Sequence, residues 1–74
     1  MNREQRKEIK ELIKQLEMVK DKIDSIRDDE EDKFDNLSEG LQATMRGQDM
    51  EDAISNMEDA IDNIAEAVAN LEVI

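Results

Sequence analysis

The sequence contains no cysteine, histidine, tryptophan or tyrosine, and it has a single phenylalanine. Without cysteine there is no disulfide framework, no thiolate nucleophile and no zinc finger. Without histidine the chain lacks the usual general base at neutral pH and the usual ligand of transition metals. The scarcity of aromatic side chains argues against a surface that stacks on nucleic-acid bases. We therefore expect a protein that is not an enzyme and that has no cofactor and no metal site.

Long apolar runs are also missing. No stretch approaches the roughly 20 apolar residues of a membrane-spanning helix, and residues 1–7 lack the apolar core of a signal peptide. The chain has 74 residues, and below roughly 80 residues a single core seldom stabilises a fold by more than a few kcal/mol. These limits predict one cytoplasmic domain, without membrane contact, that associates with itself.

The dominant pattern is a seven-residue sequence repeat that occurs three times between Met50 and Leu71. Its large apolar residues alternate four and three positions apart, which is the spacing of a helix that packs lengthwise along another helix. These positions are Met50, Ile54, Met57, Ile61, Ile64, Val68 and Leu71. The pattern predicts a helix over about residues 45–73, with Thr44 as its N-cap and Asp49 as the alternative start.

The first half of the chain carries the same spacing. The apolar residues are Ile9, Leu12, Leu16, Val19, Ile23 and Ile26, with Ile13 directly beside them. We predict a helix over about residues 3–35 and a connector over about 36–44, where Asn36, Ser38 and Gly40 favour a turn. Because acids near a helix C-terminus oppose the helix dipole, the last turns should fray unless Phe34 is anchored. A separate short helix within residues 38–46 is the open alternative.

The two patterns fit one antiparallel register. If Ile26 faces Ile54 and Ile9 faces Leu71, each intervening apolar residue also meets an apolar partner, and Gly40 falls at the centre of the turn. The charged pairs beside this seam are then Arg27 with Glu51, Lys20 with Glu58, and Arg6 with Glu72. The agreement of these patterns predicts an all-α fold, a coiled-coil-like antiparallel hairpin of two helices.

The repeats also place a small residue beside the seam, at Ala53, Ala60 and Ala67. Alanine there widens the apolar face and lets a further helix approach closely. We predict that two hairpins pair through this side into a homodimeric four-helix bundle. Alternatively, alanine serves only as a good helix former on a partly exposed face. A dimer that exchanges helices between chains is compatible with the same register.

The charge of the chain is unevenly distributed. The net charge is -11; residues 1–27 hold eight bases and six acids, whereas residues 28–74 hold two bases and fifteen acids. This surplus argues against direct binding of nucleic acid or anionic lipid. The second helix carries an acidic strip, which could imitate the phosphates of duplex DNA or merely be a solvated face. The residues of this acidic face are Glu51, Asp52, Glu58, Asp59 and Asp62.

The acidic run from Asp28 onward also matches part of the ligand spacing of a calcium-binding EF-hand loop. Lys33, however, stands where that loop requires glycine for its sharp turn. We therefore interpret the run as the solvated end of the first helix and expect no calcium site.

Residues 34–42, with Arg46-Gly47 and Met50-Glu51, resemble a loose set of small acidic helical proteins of phages and prophages of Gram-positive bacteria. The resemblance extends over the whole chain, although that set often has proline at the position of Ser38. It implies an accessory phage protein in the host cytoplasm that binds and inhibits a host enzyme or a defence protein. It assigns no functional residue.

Together these patterns predict a non-enzymatic protein-interaction module. Its expected partners are a second copy of itself and a host or defence protein, which would bind the acidic face. The alternative is a purely structural homo-oligomer without an outside partner. Loss of partner binding on neutralising the acidic face would favour the first hypothesis over the second.

Overall fold

The computed structural model describes all 74 residues and contains three helices and no strand. The helices are α1 (Arg3–Asp35), α2 (Glu39–Gln42) and α3 (Met45–Glu72). The two long helices pack against each other in antiparallel fashion, and the molecule measures 58 × 15 × 13 Å. The predicted all-helical, hairpin-like arrangement is confirmed.

Helix α1 is stabilised locally at its start and along its surface. The side chain of Asn2 caps it by accepting a 2.8 Å hydrogen bond from the backbone N–H of Gln5. Three ion pairs between residues three apart follow, each worth a few tenths of a kcal/mol on an exposed helix. They join Lys14 to Glu11, Lys20 to Glu17, and Arg27 to Asp24.

The connector contains a short helix, which agrees with the alternative prediction of a separate helix within residues 38–46. Ser38 caps α2 and Thr44 caps α3, in each case by accepting a backbone N–H three residues later. The side-chain amide of Gln42 donates to the carbonyls of Phe34 and Leu37, at 3.1 and 3.2 Å. Because the last carbonyls of a helix lack partners within it, these bonds hold the end of α1. Helix α1 accordingly continues to Asp35, with Phe34 half-buried.

The glycine on which this corner depends is Gly47, not Gly40. Gly47 is buried, and a Cβ atom added there would lie 2.2 Å from the carbonyl oxygen of Gln42. Gly40 lies inside α2 with a negative φ, and a Cβ added to it would meet nothing within 4 Å. Gly40 does lie at the middle of the connector, as predicted, but its lack of a side chain is not required there. The close approach of α2 and α3 excludes a side chain only at Gly47.

The predicted contact face of α1 is wrong, because the helix is turned about its axis. Leu12, Val19 and Ile26, which were assigned to the seam, are exposed. Lys20 and Arg27, which were placed beside it, are half-buried. The half-buried residues of α1 are Ile9, Ile13, Leu16, Glu17, Lys20, Ile23, Asp24, Arg27, Glu30 and Phe34.

The predicted ion pairs between the helices are not formed. Arg27 pairs with Glu58 at 3.8 Å instead of Glu51, and Lys20 pairs with Glu17 of its own helix. No ion pair joins Arg6 to Glu72. The rotation of α1 explains the different ion pairs. It turns towards α3 the row that contains Lys20 and Arg27, together with the apolar residues of the same row, Ile13 and Phe34. The aliphatic stems of the bases in the same row then cover apolar surface while their charges remain at the edge.

Helix α3 contacts α1 through the predicted apolar positions and through part of the alanine row. Its buried or half-buried residues are Gly47, Met50, Ile54, Met57, Ala60, Ile61, Ile64, Ala67, Val68 and Leu71. Only Gly47 and Val68 are fully buried. A compact chain of this length has a radius of gyration of about 11 Å, whereas this one has 17.0 Å. The hairpin therefore covers its apolar side chains only in part.

Candidate protein interaction surface

One row of large apolar residues on α1 has no partner within the chain. Leu12, Val19 and Ile26 lie seven residues apart on one side of the helix and are 50%, 47% and 58% exposed. They are the aliphatic residues of α1 that the rotation removes from the contact with α3. This apolar row of α1 is therefore open to a neighbour.

The alanine row of α3 lies on the same side of the hairpin. Near the turn, Lys33 of α1 and Arg46 of α3 line one groove between the helices. Lys33 continues the row of Ile26, and Arg46 begins the row of Ala53. Because the helices are antiparallel, seven residues back along α1 correspond to seven residues forward along α3. The rows therefore run side by side, and we name this surface the apolar flank: Leu12, Val19, Ile26, Ala53, Ala60 and Ala67.

The apolar flank carries no charge along α3. The row that borders the alanines on the outside consists of Asn56, Asn63 and Asn70. None of the acids between residues 50 and 72 falls in the alanine row or in the asparagine row. A chain with a net charge of -11 thus keeps one neutral strip along its acidic helix. Depletion of charge is a feature of the centre of protein interfaces.

The opposite side of the hairpin is charged. Arg27 contacts Asp24 at 2.7 Å, Asp28 at 3.0 Å and Glu58 at 3.8 Å. Partial loss of solvent lowers the pKa of Arg27, but the neighbouring carboxylates, Asp24 foremost, raise it by more, so the pKa lies above its ordinary value. Its Nε atom is enclosed and has no hydrogen-bond partner. We name this side the charged flank.

Next to Arg27 the charged flank forms a groove with an apolar floor. Phe34 and Ile54 lie in it, and carboxylates of both helices surround them. Those acids are Glu31, Asp35, Glu51 and Glu58. The negative charges at its rim disfavour an anionic ligand here.

The five residues of the predicted acidic face are all exposed, and two of them, Glu51 and Glu58, border the groove that α3 shares with α1. Of these five acids, only Glu58 takes part in an ion pair, and the side chain of Glu58 remains 49% exposed. The negative potential of α3 is therefore almost unneutralised. Four bases lie together near the start of α1 and likewise form no ion pair: Arg3, Arg6, Lys7 and Lys10.

The carboxylates do not assemble into a metal centre. No group of three acids is placed to hold an ion. Asp28 and the acids that follow it belong to the continuous helix α1, so they do not form a loop that could wrap around calcium. Glu30, an acid at a predicted seam position, lines the open groove near Met50. Neither long helix has an apolar segment sufficient to cross a bilayer.

Some important contacts had no periodic signal in the sequence. Gln42 is an ordinary polar residue in a connector, and only its position after α1 reveals that it caps two carbonyls. Gly47 stands among good helix formers, and a glycine in such a place indicates a close backbone approach. Comparisons with protein-family models, with curated proteins and with solved structures give no match.

Proposed function

We propose that this chain is a non-enzymatic protein-interaction module that works as a homodimer, in which two hairpins pair through the apolar flank into a four-helix bundle. The observation that carries the proposal is the exposure of Leu12, Val19 and Ile26 beside the alanine row. A helix with two neighbours in a bundle needs a wider apolar face than a helix with one. Both long helices have such a face, and the hairpin covers only part of it.

The chain exposes more surface than a compact chain of its size. A compact chain of 8.5 kDa exposes about 4,700 Å², whereas this hairpin exposes 5798 Å². The excess, about 1,100 Å², comes with the elongated pairing of two helices, and the exposed surface includes the half-exposed side chains of the apolar flank.

Two adjacent residues of α1 provide a matched test. Val19 lies on the apolar flank, whereas Met18, which is 60% exposed, lies on the outer side of α1. Val19→Glu and Met18→Glu add the same charge to the same turn of the helix. In sedimentation at tens of micromolar, the unchanged chain and Met18→Glu should show twice the mass of 8.5 kDa, and Val19→Glu should show the single mass. A monomeric unchanged chain, or a dimeric Val19→Glu variant, would contradict the proposal.

A second function is favoured by the unpaired carboxylates of the acidic face. We propose that this face binds the basic, DNA-contacting surface of a host or defence protein and inhibits it, as the resemblance to phage accessory proteins implies. The exposure of all five carboxylates and the near absence of ion pairs among them support this proposal. A structural homo-oligomer without a partner would instead be indifferent to these charges.

The acidic face is tested by neutralising its carboxylates without changing their shape. The variant carries Glu51→Gln, Asp52→Asn, Glu58→Gln, Asp59→Asn and Asp62→Asn. A partner captured from host lysate by the unchanged chain should be lost with this variant and displaced by duplex DNA. Val73→Gln, on an exposed residue outside the acidic face, is the control. Equal capture by the neutralised variant would refute the inhibitory function.

A further inference from the structure

The charge of the hairpin differs strongly between its two ends. The turn half, residues 28–52, holds ten acids and two bases. The open end, residues 1–10 and 70–74, holds three acids and four bases. Those bases form no ion pair within the chain, so they are free to meet acids of another molecule.

A second copy can cover the apolar flank in two arrangements with twofold symmetry. In the same-end arrangement both turns lie together, and α1 of one copy covers α3 of the other. In the opposite-end arrangement the turns lie at opposite ends of the bundle, α1 covers α1, and α3 covers α3. Both arrangements bury the same flank, so apolar burial alone does not select between them.

The charge at the ends selects the opposite-end arrangement. The same-end arrangement brings two turn halves together, each with ten acids and two bases. It also places Lys33 of one copy opposite Arg46 of the other, because these residues line one groove in each hairpin. Like charges within about 10 Å repel at moderate ionic strength. The opposite-end arrangement instead places each acidic turn half over the open end of the other copy, which holds three acids and four bases.

The neutral borders of the flank are also consistent with contact between two α3 helices. Although α3 is acidic, its alanine and asparagine rows hold no acid between residues 50 and 72. In the opposite-end arrangement Ala60 meets its own copy, and Asn56 lies across from Asn63 of the second molecule. Side-chain amides are both donors and acceptors, so they can satisfy each other across such a border.

We infer that the homodimer has the opposite-end arrangement, and that the two α3 helices, with the outward-facing Asp52, Asp59 and Asp62 of each, therefore lie side by side on one surface of the bundle. This inference rests on the proposed homodimer and names its geometry. The binding surface offered to a basic partner is then two helices wide and is completed only by the second copy. In the same-end arrangement the two acidic faces would lie on opposite sides, each next to an α1 helix.

Single cysteine variants distinguish the two arrangements, because the chain has no cysteine of its own. Val19 is the centre of its row. The opposite-end arrangement therefore places Val19 of one copy against Val19 of the other, and Val19→Cys alone should form a disulfide-linked dimer under mild oxidation. In the same-end arrangement Val19 faces Ala60, so V19C would link only when mixed with A60C. That second result would overturn the inference.

A second pair of variants checks the register and separates the possible failures. L12C should link to I26C in a mixture and should not link to itself, because two Leu12 residues would lie about 20 Å apart along the helices. A disulfide requires Cα atoms closer than about 7 Å. Sedimentation of the unchanged chain is measured in parallel. A monomer there refutes the homodimer itself, whereas a dimer with the V19C–A60C or L12C–A67C pattern refutes only its opposite-end geometry.

Discussion

The two flanks of the hairpin differ in how the edge of the contact between α1 and α3 is covered. On the charged flank, the stems of Lys20 and Arg27 cover the edge of the contact between α1 and α3, and their charges meet carboxylates. On the apolar flank, Leu12, Val19 and Ile26 remain exposed beside a row of alanines. On the charged flank, side chains of the same chain cover the contact. The apolar flank is neutral and exposed, so it is available for a partner. The charged flank therefore contributes to the fold of one copy, whereas the apolar flank is the surface through which two copies would associate.

The largest effect on this comparison should come from Gly47→Ala. The added Cβ would lie 2.2 Å from the carbonyl oxygen of Gln42, so α2 and α3 would have to separate. Because Gln42 also binds the carbonyl of Phe34 at the end of α1, the contact between α1 and α3 would be disturbed on both flanks. We expect a loss of about 1–3 kcal/mol in the free energy of unfolding, measured by urea titration.

Gly40→Ala is the matched control for that substitution. It adds the same methyl group within the connector, but nothing lies within 4 Å of the new Cβ atom. We expect a gain of about 0.5–1 kcal/mol, because alanine favours the helix and restricts the unfolded chain. Equal destabilisation by both substitutions would show that the corner is not closely packed at Gly47.

Substitutions of Lys20 should have a smaller effect on stability and should show whether its aliphatic stem or its charge stabilises the charged flank. Lys20→Met keeps the aliphatic stem and removes the charge, whereas Lys20→Ala removes both. If the stem is what covers the contact, Lys20→Ala should cost about 1 kcal/mol. Lys20→Met should stay within about 0.5 kcal/mol of the unchanged chain. Thermal unfolding measures both, and the opposite ranking would mean that the ion pair with Glu17 stabilises the flank.

The smallest effect, a change of several-fold, should come from salt, and its sign should differ between the two proposed interactions. Two chains that each carry a net charge of -11 repel, and salt screens that repulsion over about 10 Å at 0.1 M. Raising sodium chloride should therefore tighten the homodimer several-fold in sedimentation. It should weaken capture of a basic partner by the acidic face. A homodimer that loosens in salt would show that charge pairs hold it more than the apolar flank does.

Much of this architecture could be predicted from the sequence, because the apolar spacing alone indicates two long helices. Thr44 was also identifiable as the cap of α3. The rotation of α1 could not be predicted, because its apolar arc includes Ile13 and Phe34 on one edge and Val19 and Ile26 on the other. One neighbouring helix covers only part of such an arc. The periodicity of the sequence shows which side of α1 is apolar. Only the packing decides which part of that side contacts α3.

The candidate surfaces were predictable to different degrees. The acidic face was visible as a charge pattern, and the structure exposes it as expected from that pattern. The alanine row was recognised as a small-residue strip, but its neighbour on the flank, the row of Val19, had been assigned to the seam. The apolar flank became visible only when the groove between Lys33 and Arg46 placed both rows on one side.

The corner formed by Gln42 and Gly47 has a consequence for the order of folding. It is built from residues close in sequence, with no positive φ angle anywhere in the chain, so α1 and α3 can close on each other before any second molecule arrives. Refolding should then show a fast phase whose rate does not change with protein concentration, followed by a slower bimolecular phase. Two chains that exchanged helices would instead have to open this corner. A hairpin of this kind therefore reaches its partner already folded.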